Sequence, residues 1–132
     1  MIGLDTNLLV RHLVADDAKQ AELAGSFLEK HCTAEAPGYI NLIVLCELAW
    51  TLDRTYEYSR QDIARIVDSL LIAQELTVEQ RDLAAAALQR YKSSAIGFSD
   101  ALICELNKAA GCASTATFDR KAARVEGFTV VG

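Results

Sequence analysis

Residues 1–13, Met-Ile-Gly-Leu-Asp-Thr-Asn-Leu-Leu-Val-Arg-His-Leu, run from a short apolar segment through an aspartate into a helical pattern. Residues 2–4 are predicted to form a short buried strand that ends at Asp5. Leu8, Leu9 and Leu13 then recur at the spacing of one helix face. The chain is therefore predicted to begin with a strand, an acidic residue and a helix.

The same alternation continues to the end of the chain. Further short strands are predicted at residues 39–41, 76–78, 112–115 and 128–131. Helices are predicted at residues 17–31, 43–56, 60–74 and 100–110, with one more running to about residue 91 and a short one at 119–124. Strands separated by helices are typical of a parallel sheet. The predicted class is α/β: a single domain over residues 1–132, whose central parallel sheet of four or five short strands has helices on both faces.

Some helix ends carry sequence signals. Thr77-x-x-Gln80 matches a capping box, in which a threonine caps a helix and a glutamine three residues later caps it in return. Ser99 is expected to cap the helix of residues 100–110, and Gly111 is expected to follow its last turn.

The composition is that of a soluble globular protein. Of 132 residues, 52% are hydrophobic, which is ample for a core. The four cysteines show no C-x-x-C spacing, which favours buried reduced thiols in a cytoplasmic protein over a zinc site. The longest apolar stretch, residues 40–52, contains Asn41 and Glu47 and is unsuited to a bilayer, so no membrane association is expected.

The net charge of −5 argues, taken alone, against nucleic-acid binding, which normally uses a basic surface. Four carboxylates committed to a metal ion would leave 14 acidic residues against 13 basic ones. A bound divalent ion would also reverse the charge of its pocket. The composition therefore lowers the expectation of RNA binding without excluding it.

Acidic residues follow two of the predicted strands. Asp5 comes directly after the first strand, and Asp119 comes shortly after the strand of residues 112–115. Ligands of open α/β sheets bind beyond the carboxyl ends of the strands, so both aspartates are expected at the functional edge. An aspartate after a strand is also a common helix cap, and for Asp5 the two interpretations are nearly equal.

Glu47 is predicted to lie on a buried helix face. The residues three and four positions from it are apolar apart from one threonine: Ile43, Val44, Trp50 and Thr51. A buried carboxylate needs a cation or hydrogen-bond donors. We therefore expect Glu47 to bind a metal ion or to form a salt bridge with Arg54, two alternatives of equal weight.

Asp100 is a similar case on a second helix. The residues that follow it on its face are Ile103 and Cys104, although an acid in the first turn also interacts favourably with the helix dipole. Glu105, by contrast, has Lys108 three residues on and is expected to be solvated surface.

Four such acids in one pocket would repel one another unless they shared protons or bound a cation. Oxygen ligands favour hard ions, hence Mg²⁺ or Mn²⁺ rather than zinc. Phosphoryl transfer and phosphodiester hydrolysis are the reactions that Mg²⁺ serves best in a carboxylate pocket. The predicted metal ligands and catalytic residues are Asp5, Glu47, Asp100 and Asp119.

The stretches around these acids resemble the motifs of PIN domains. Residues 1–11, Met-Ile-Gly-Leu-Asp-Thr-Asn-Leu-Leu-Val-Arg, resemble the first motif, particularly that of the VapC toxins of bacterial toxin–antitoxin pairs. Residues 45–50 are similar to the second acidic motif, residues 97–103 to the third, and residues 115–121 to the fourth. The four stand in family order, cover almost the whole chain, and show no departure at an acidic position.

The resemblance implies a Mg²⁺-dependent endoribonuclease directed at single-stranded RNA, usually a homodimer, with Mn²⁺ able to replace Mg²⁺. It implies a VapB-like antitoxin whose tail occupies the acidic groove. The acids matching Asp5 and Asp100 would hold the metal most directly, while Glu47 and Asp119 would complete the pocket. Asn7 and Thr117 match positions that orient these carboxylates, although both residues are also common in turns and caps.

Basic residues near the motifs are candidates for RNA binding: Arg11, Arg120 and Lys121. A charged residue on a helix is usually just solvated, which is the alternative for all three. His12 and His31 lack an acidic partner that would support imidazole acid–base catalysis, so we expect them on the surface or in packing contacts.

Two other functions fit parts of the pattern. A phosphatase or receiver domain also keeps acids at strand ends, but it would need an Asp-x-Asp near the N-terminus or a strand-end lysine, whereas this chain has Asp5-Thr6-Asn7. A catalytically inert PIN-like binding module, in which the acids are only caps and ion-pair partners, stays the principal alternative. The sequence does not identify the RNA.

Overall fold

The computed structural model describes residues 1–132, which form two compact units, unit 1 (Met1–Arg81) and unit 2 (Asp82–Gly132). The chain contains six α-helices, five short strands and one 3₁₀ turn, so the predicted α/β class is confirmed. None of the helices is long and apolar enough to cross a membrane.

Unit 1 contains three strands and four helices: β1 (Ile2–Gly3), α1 (Thr6–Val14), α2 (Ala18–His31), β2 (Gly38–Ile40), α3 (Leu42–Arg54), α4 (Arg60–Ile72) and β3 (Leu76–Val78). The strands form a parallel sheet in the order β1-β2-β3, with Gly38 paired with Ile2 on one side and with Leu76 on the other. Because all three strands run the same way, their carboxyl ends, at Gly3, Ile40 and Val78, lie at one edge.

Buried aliphatic side chains hold unit 1 together. Leu9 of α1, Ile40 of β2 and Leu45, Leu48 and Leu52 of α3 are at most 1% exposed. The apolar residues of α4 are also turned inward: Ile63, Val67, Leu70 and Leu71 are buried, and Ile66 is half-buried. The apolar face of α4 is therefore well buried apart from its last residue, Ile72, which is 65% exposed.

Unit 2 contains α5, which begins at the last residue of unit 1 (Arg81–Ser93), α6 (Phe98–Ala109), β4 (Thr115–Thr117), the 3₁₀ turn (Ala122–Arg124) and β5 (Phe128–Val130). Strands β4 and β5 pair in parallel as a separate two-stranded sheet. The five parallel strands are thus divided between two short sheets. The expectation of a single domain over the whole chain stays a prediction.

Some predicted helix and strand ends are shifted. Thr77 lies in β3 and Gln80 has a φ of 48°, so Thr77-x-x-Gln80 is not a capping box. α6 begins at Phe98 after Gly97, so Ser99 lies inside its first turn. Gly111 follows α6 as predicted, with a φ of 97°, and the amide of Cys112 donates to the carbonyl of Asn107. That hydrogen bond extends the helix end, so β4 begins at residue 115 rather than 112.

Candidate functional site

Asp5 lies two residues after the end of β1 and caps the start of helix α1. One of its carboxylate oxygens, Oδ1, accepts a hydrogen bond from the backbone amide of Leu8 at 3.0 Å. The side chain is exposed, and Oδ2 is not used by the cap. The cap and ligand interpretations of Asp5 are therefore compatible, because capping occupies only one of its two oxygens.

Glu47 is exposed, which corrects the prediction that it lies on a buried face. Its apolar neighbours Ile43 and Trp50 are themselves 72% and 61% exposed, so apolar residues on α3 do not all face the core. The alternative of an ion pair with Arg54 is absent, and Arg54 pairs with the adjacent Asp53 at 3.8 Å. Glu47 instead accepts a hydrogen bond at Oε1 from the hydroxyl of Thr6, at 2.8 Å.

The Thr6 hydrogen bond connects the residue that follows Asp5 with Glu47 in unit 1. Thr6 is the first residue of α1 and follows Asp5, while Glu47 lies in the middle of α3. The first turn of α1 is therefore in direct contact with the acidic residue of α3. Asn7, the next residue of α1, is exposed at the same turn.

Two further polar side chains lie at the carboxyl ends of β2 and β3. Asn41 follows β2 and accepts from the amide of Val44 at 2.9 Å, and Glu79 follows β3 and accepts at Oε1 from the amide of Leu42 at 3.0 Å. Together they satisfy two of the free amides at the start of α3. Glu79 and Thr6 were missed by the sequence reasoning. The rule that selected Asp5, an acid just after a strand, also selects Glu79.

In unit 2, Asp100 is the third residue of α6 and is exposed. The residue before the helix is Gly97, which has no side chain to cap the first turn. A methyl group added at Gly97 would lie 3.7 Å from Oδ2 of Asp100, so the carboxylate sits beside the helix start. The free amides there favour a negative charge, and the carboxylate stays open to a ligand.

Asp119 follows β4 in a tight loop. Its backbone amide donates to the hydroxyl of Thr117 at 3.0 Å, and its Oδ1 accepts from the amide of Lys121 at 2.8 Å. Thr117 thus shapes the backbone that carries Asp119 and makes no recorded bond to the carboxylate itself. Asp119 is exposed, and its Oδ2 takes no part in these hydrogen bonds.

The three basic residues considered for RNA binding differ in how free their side chains are to contact RNA. Arg120 and Lys121 are exposed. Arg11 is turned toward Asp16, with 3.4 Å between Nη1 and Oδ1, and Asp16 also accepts from the hydroxyl of Tyr56 at 3.2 Å. Asp16 therefore links Arg11 of α1 to Tyr56, just beyond the end of α3, and Arg11 is less free to meet RNA than the other two. The two histidines, His12 and His31, are exposed on α1 and α2.

The donor set suits a hard divalent cation. Asp5 and Glu47 in unit 1, and Asp100 and Asp119 in unit 2, are exposed carboxylates, and each keeps at least one oxygen outside the hydrogen bonds described above. Such oxygens are the ligands that Mg²⁺ and Mn²⁺ prefer. Within each unit, no group of three or more histidine, cysteine, aspartate or glutamate side chains is placed to hold a metal ion.

Glu105 corrects the opposite expectation. It is buried, at 8% exposure, and accepts from Nε of Arg90 at 2.6 Å. Nη1 of Arg90 also donates to the carbonyl of Glu126, so the guanidinium joins α5, α6 and the segment before β5. The hydrogen bond to Glu105 raises the pKa of Arg90 above its ordinary value. This pair is structural, since both groups are committed to each other.

None of the four cysteines forms a disulfide, and their burial differs. Cys32 and Cys104 are buried, Cys46 is half-buried, and Cys112 is exposed, which corrects the prediction for that residue. Burial raises the pKa of the Cys32 thiol.

Residues 2–127 match the model of a protein family described as PIN domain. The match spans parts of both units and includes all four predicted acidic residues. No curated protein matches the chain significantly.

Proposed function

Because the chain belongs to the PIN domain family, whose members are generally nucleases, we propose that it is a Mg²⁺-dependent endoribonuclease that hydrolyses phosphodiester bonds of single-stranded RNA. The observation that carries the proposal is the contact between the start of α1 and Glu47. It places two exposed carboxylate residues, Asp5 and Glu47, on adjoining elements, each with an oxygen left for a ligand.

We assign the metal to the four acids at the family's motif positions, Asp5, Glu47, Asp100 and Asp119, with Asp5 and Asp100 as its most direct ligands. The exposure and spare oxygens of these carboxylates support the assignment. When bound, a divalent cation neutralises charge on the phosphate and lowers the pKa of water. Mn²⁺ is expected to replace Mg²⁺ because it prefers the same oxygen ligands.

The chain's own groups would handle the proton. Glu47 or Asp119 accepts the proton of the attacking water, and in-line attack on the phosphorus leaves a 5′-phosphate and a 3′-hydroxyl. The exposed Arg120 and Lys121 follow Asp119 directly and are proposed to attract the RNA backbone. Arg11, which is paired with Asp16, is expected to contribute less.

The proposed biological role is that of the toxin in a toxin–antitoxin pair in the cytoplasm, inhibited by a VapB-like antitoxin whose tail occupies the acidic groove. A homodimer is part of the same proposal. Ile43 and Trp50 on α3 support it, because their large exposed apolar area is of the kind that a second copy would cover.

The test is a cleavage assay on total cellular RNA, with and without Mg²⁺. Asp5 caps α1, so Asp5→Asn is preferable to Asp5→Ala: an asparagine keeps the cap while removing the charge that a metal ion needs. Asp17→Asn is the matched control, since Asp17 caps α2 in the same way, through the amide of Gln20 at 3.1 Å.

We expect Mg²⁺-dependent cutting by the wild type and by Asp17→Asn, and its loss in Asp5→Asn. Cutting that persists undiminished in Asp5→Asn would come from a contaminant and would refute the assignment. A wild type that neither cuts RNA nor binds Mn²⁺ better than Asp5→Asn in calorimetry would be an inert PIN-like binding module.

A further inference from the structure

Thr6 connects the two helices of unit 1 that carry acidic site residues. Its hydroxyl donates to Oε1 of Glu47 at 2.8 Å, although the two residues are 41 positions apart in the sequence. We propose that Thr6 is a positioning residue of the nuclease, whose hydroxyl holds the Glu47 carboxylate in one orientation and would leave its Oε2 available to a divalent cation. This inference rests on the proposed function and deepens it.

The need for such a donor follows from the exposure of Glu47. A glutamate side chain has several rotatable bonds, and an exposed one samples many orientations. If the Glu47 side chain became ordered only on metal binding, its lost conformational entropy would weaken the affinity for the metal ion. A side chain that is already ordered in the folded protein does not weaken the affinity in this way. Arg54, one of the two partners considered for Glu47, pairs with Asp53 instead. The hydroxyl of Thr6 is therefore the group that donates a hydrogen bond to Glu47.

Thr6 is itself held in place by its surroundings. It is half-buried and is the first residue of α1, directly after Asp5, whose carboxylate fixes the first turn through the amide of Leu8. A threonine also has a restricted side-chain torsion, since two heavy atoms are attached to its Cβ. The donor therefore stands on a rigid support, and it moves together with the adjacent ligand Asp5.

Calorimetry with Mn²⁺ on the intact protein tests this role without relying on activity. Thr6→Val removes the hydroxyl and keeps the shape, while Thr6→Ser keeps the hydroxyl. We expect the Kd for Mn²⁺ to rise about tenfold in Thr6→Val, at the low end of the usual effect of such residues because the hydrogen bond is exposed. Thr6→Ser should stay near the wild type, as should Thr55→Val at the far end of α3.

A second series separates positioning from a general structural role. If Thr6 acts through Glu47, then Thr6→Val should have no further effect on Mn²⁺ affinity in a Glu47→Gln background. In RNA cleavage, Thr6→Val should lower kcat and leave KM unchanged, with recovery in Thr6→Ser. The melting temperature of each variant reports folding, and Thr6→Ala replaces Thr6→Val if the valine variant is unfolded.

The outcomes distinguish the two proposals. A wild type that cuts RNA, together with a Thr6→Val variant that binds Mn²⁺ normally, overturns the role of Thr6 and leaves the proposed function standing. A wild type that binds Mn²⁺ but cuts no RNA overturns the proposed function, and the Mn²⁺ series alone then decides on Thr6. A wild type that binds no Mn²⁺ overturns both.

Discussion

Two glutamates of this chain, Glu47 on α3 and Glu105 on α6, each lie in the opposite environment from the one that their neighbours in sequence suggest. Glu47 has apolar helical neighbours yet is exposed, with one hydroxyl donor from Thr6. Glu105 has a lysine three residues on yet is buried against Arg90. A carboxylate with one neutral donor can still bind a cation, whereas the charge of a carboxylate paired with a guanidinium is already neutralised by that partner. The difference separates a proposed ligand, Glu47, from a structural residue, Glu105.

The largest expected effect comes from breaking the buried pair. Glu105→Ala leaves the Arg90 guanidinium, whose side chain is only 16% exposed, without its partner. We expect a loss of about 3 kcal/mol in the free energy of unfolding, the low end of the usual range because both side chains keep some contact with water. Urea denaturation measures it, with the exposed Glu29→Ala as control. Equal stability of the two variants would remove the distinction between the glutamates.

The counterpart is Glu47→Gln, which should affect activity and not stability. Loss of a charged metal ligand is expected to lower the rate of RNA cleavage about a hundredfold, while the free energy of unfolding changes by less than about 0.5 kcal/mol. Asp53→Asn, six residues further along α3, is the control for charge on the same helix. If Glu47→Gln lowers the free energy of unfolding and leaves the cleavage rate unchanged, Glu47 is structural like Glu105.

Gly127 tests how closely unit 2 is packed around Arg90. Its φ is 100°, and an added methyl group would lie 2.7 Å from the sulfur of Cys104 and 3.6 Å from the guanidinium. Gly127→Ala should therefore cost about 2 kcal/mol of unfolding free energy, from backbone strain and displaced neighbours. The same denaturation assay applies, with Gly3→Ala, where nothing lies within 4 Å, as the matched substitution.

The smallest expected effect is that of alkaline pH on the buried pair. The raised pKa of Arg90 means that the folded state holds its proton more tightly than the unfolded state. Its stabilising contribution is therefore fully present below the ordinary pKa of arginine and is lost only as the pH rises above it. The stability difference between wild type and Glu105→Gln should be the same at pH 7 and pH 10. A difference that shrinks over this interval would show that Arg90 loses its charge there.

The sequence predicted the fold well because the signals that set it are local. Apolar runs next to turn residues predicted the bounds of β2, β3 and β5 to within one residue. Helical periodicity predicted the positions of the long helices. The division of the strands between two sheets depends on pairing between distant residues, which no local pattern records. The end of α6 is a smaller example. The Cys112 amide donates to the carbonyl of Asn107, a hydrogen bond that the sequence pattern did not predict.

The positions of the four acids along the fold were predicted better than their surroundings. Asp5 and Asp119 follow strands as expected, and Asp100 stands in the first turn of its helix. The exposure of Glu47 was misjudged because a helix can turn apolar residues such as Trp50 outward, and periodicity does not reveal which apolar face packs. The Thr6 donor was missed because its partner is 41 residues away.

The strand order of unit 1 has a consequence for synthesis on the ribosome. Its strands lie side by side in the order in which they are translated, and every partner that caps α3 or holds Glu47 comes from residues 6–79. A nascent chain therefore possesses all the groups for the Asp5 and Glu47 arrangement before Asp100 and Asp119 have been added. A prematurely terminated product of this length would carry half of the proposed ligand set and lack Asp100 and Asp119.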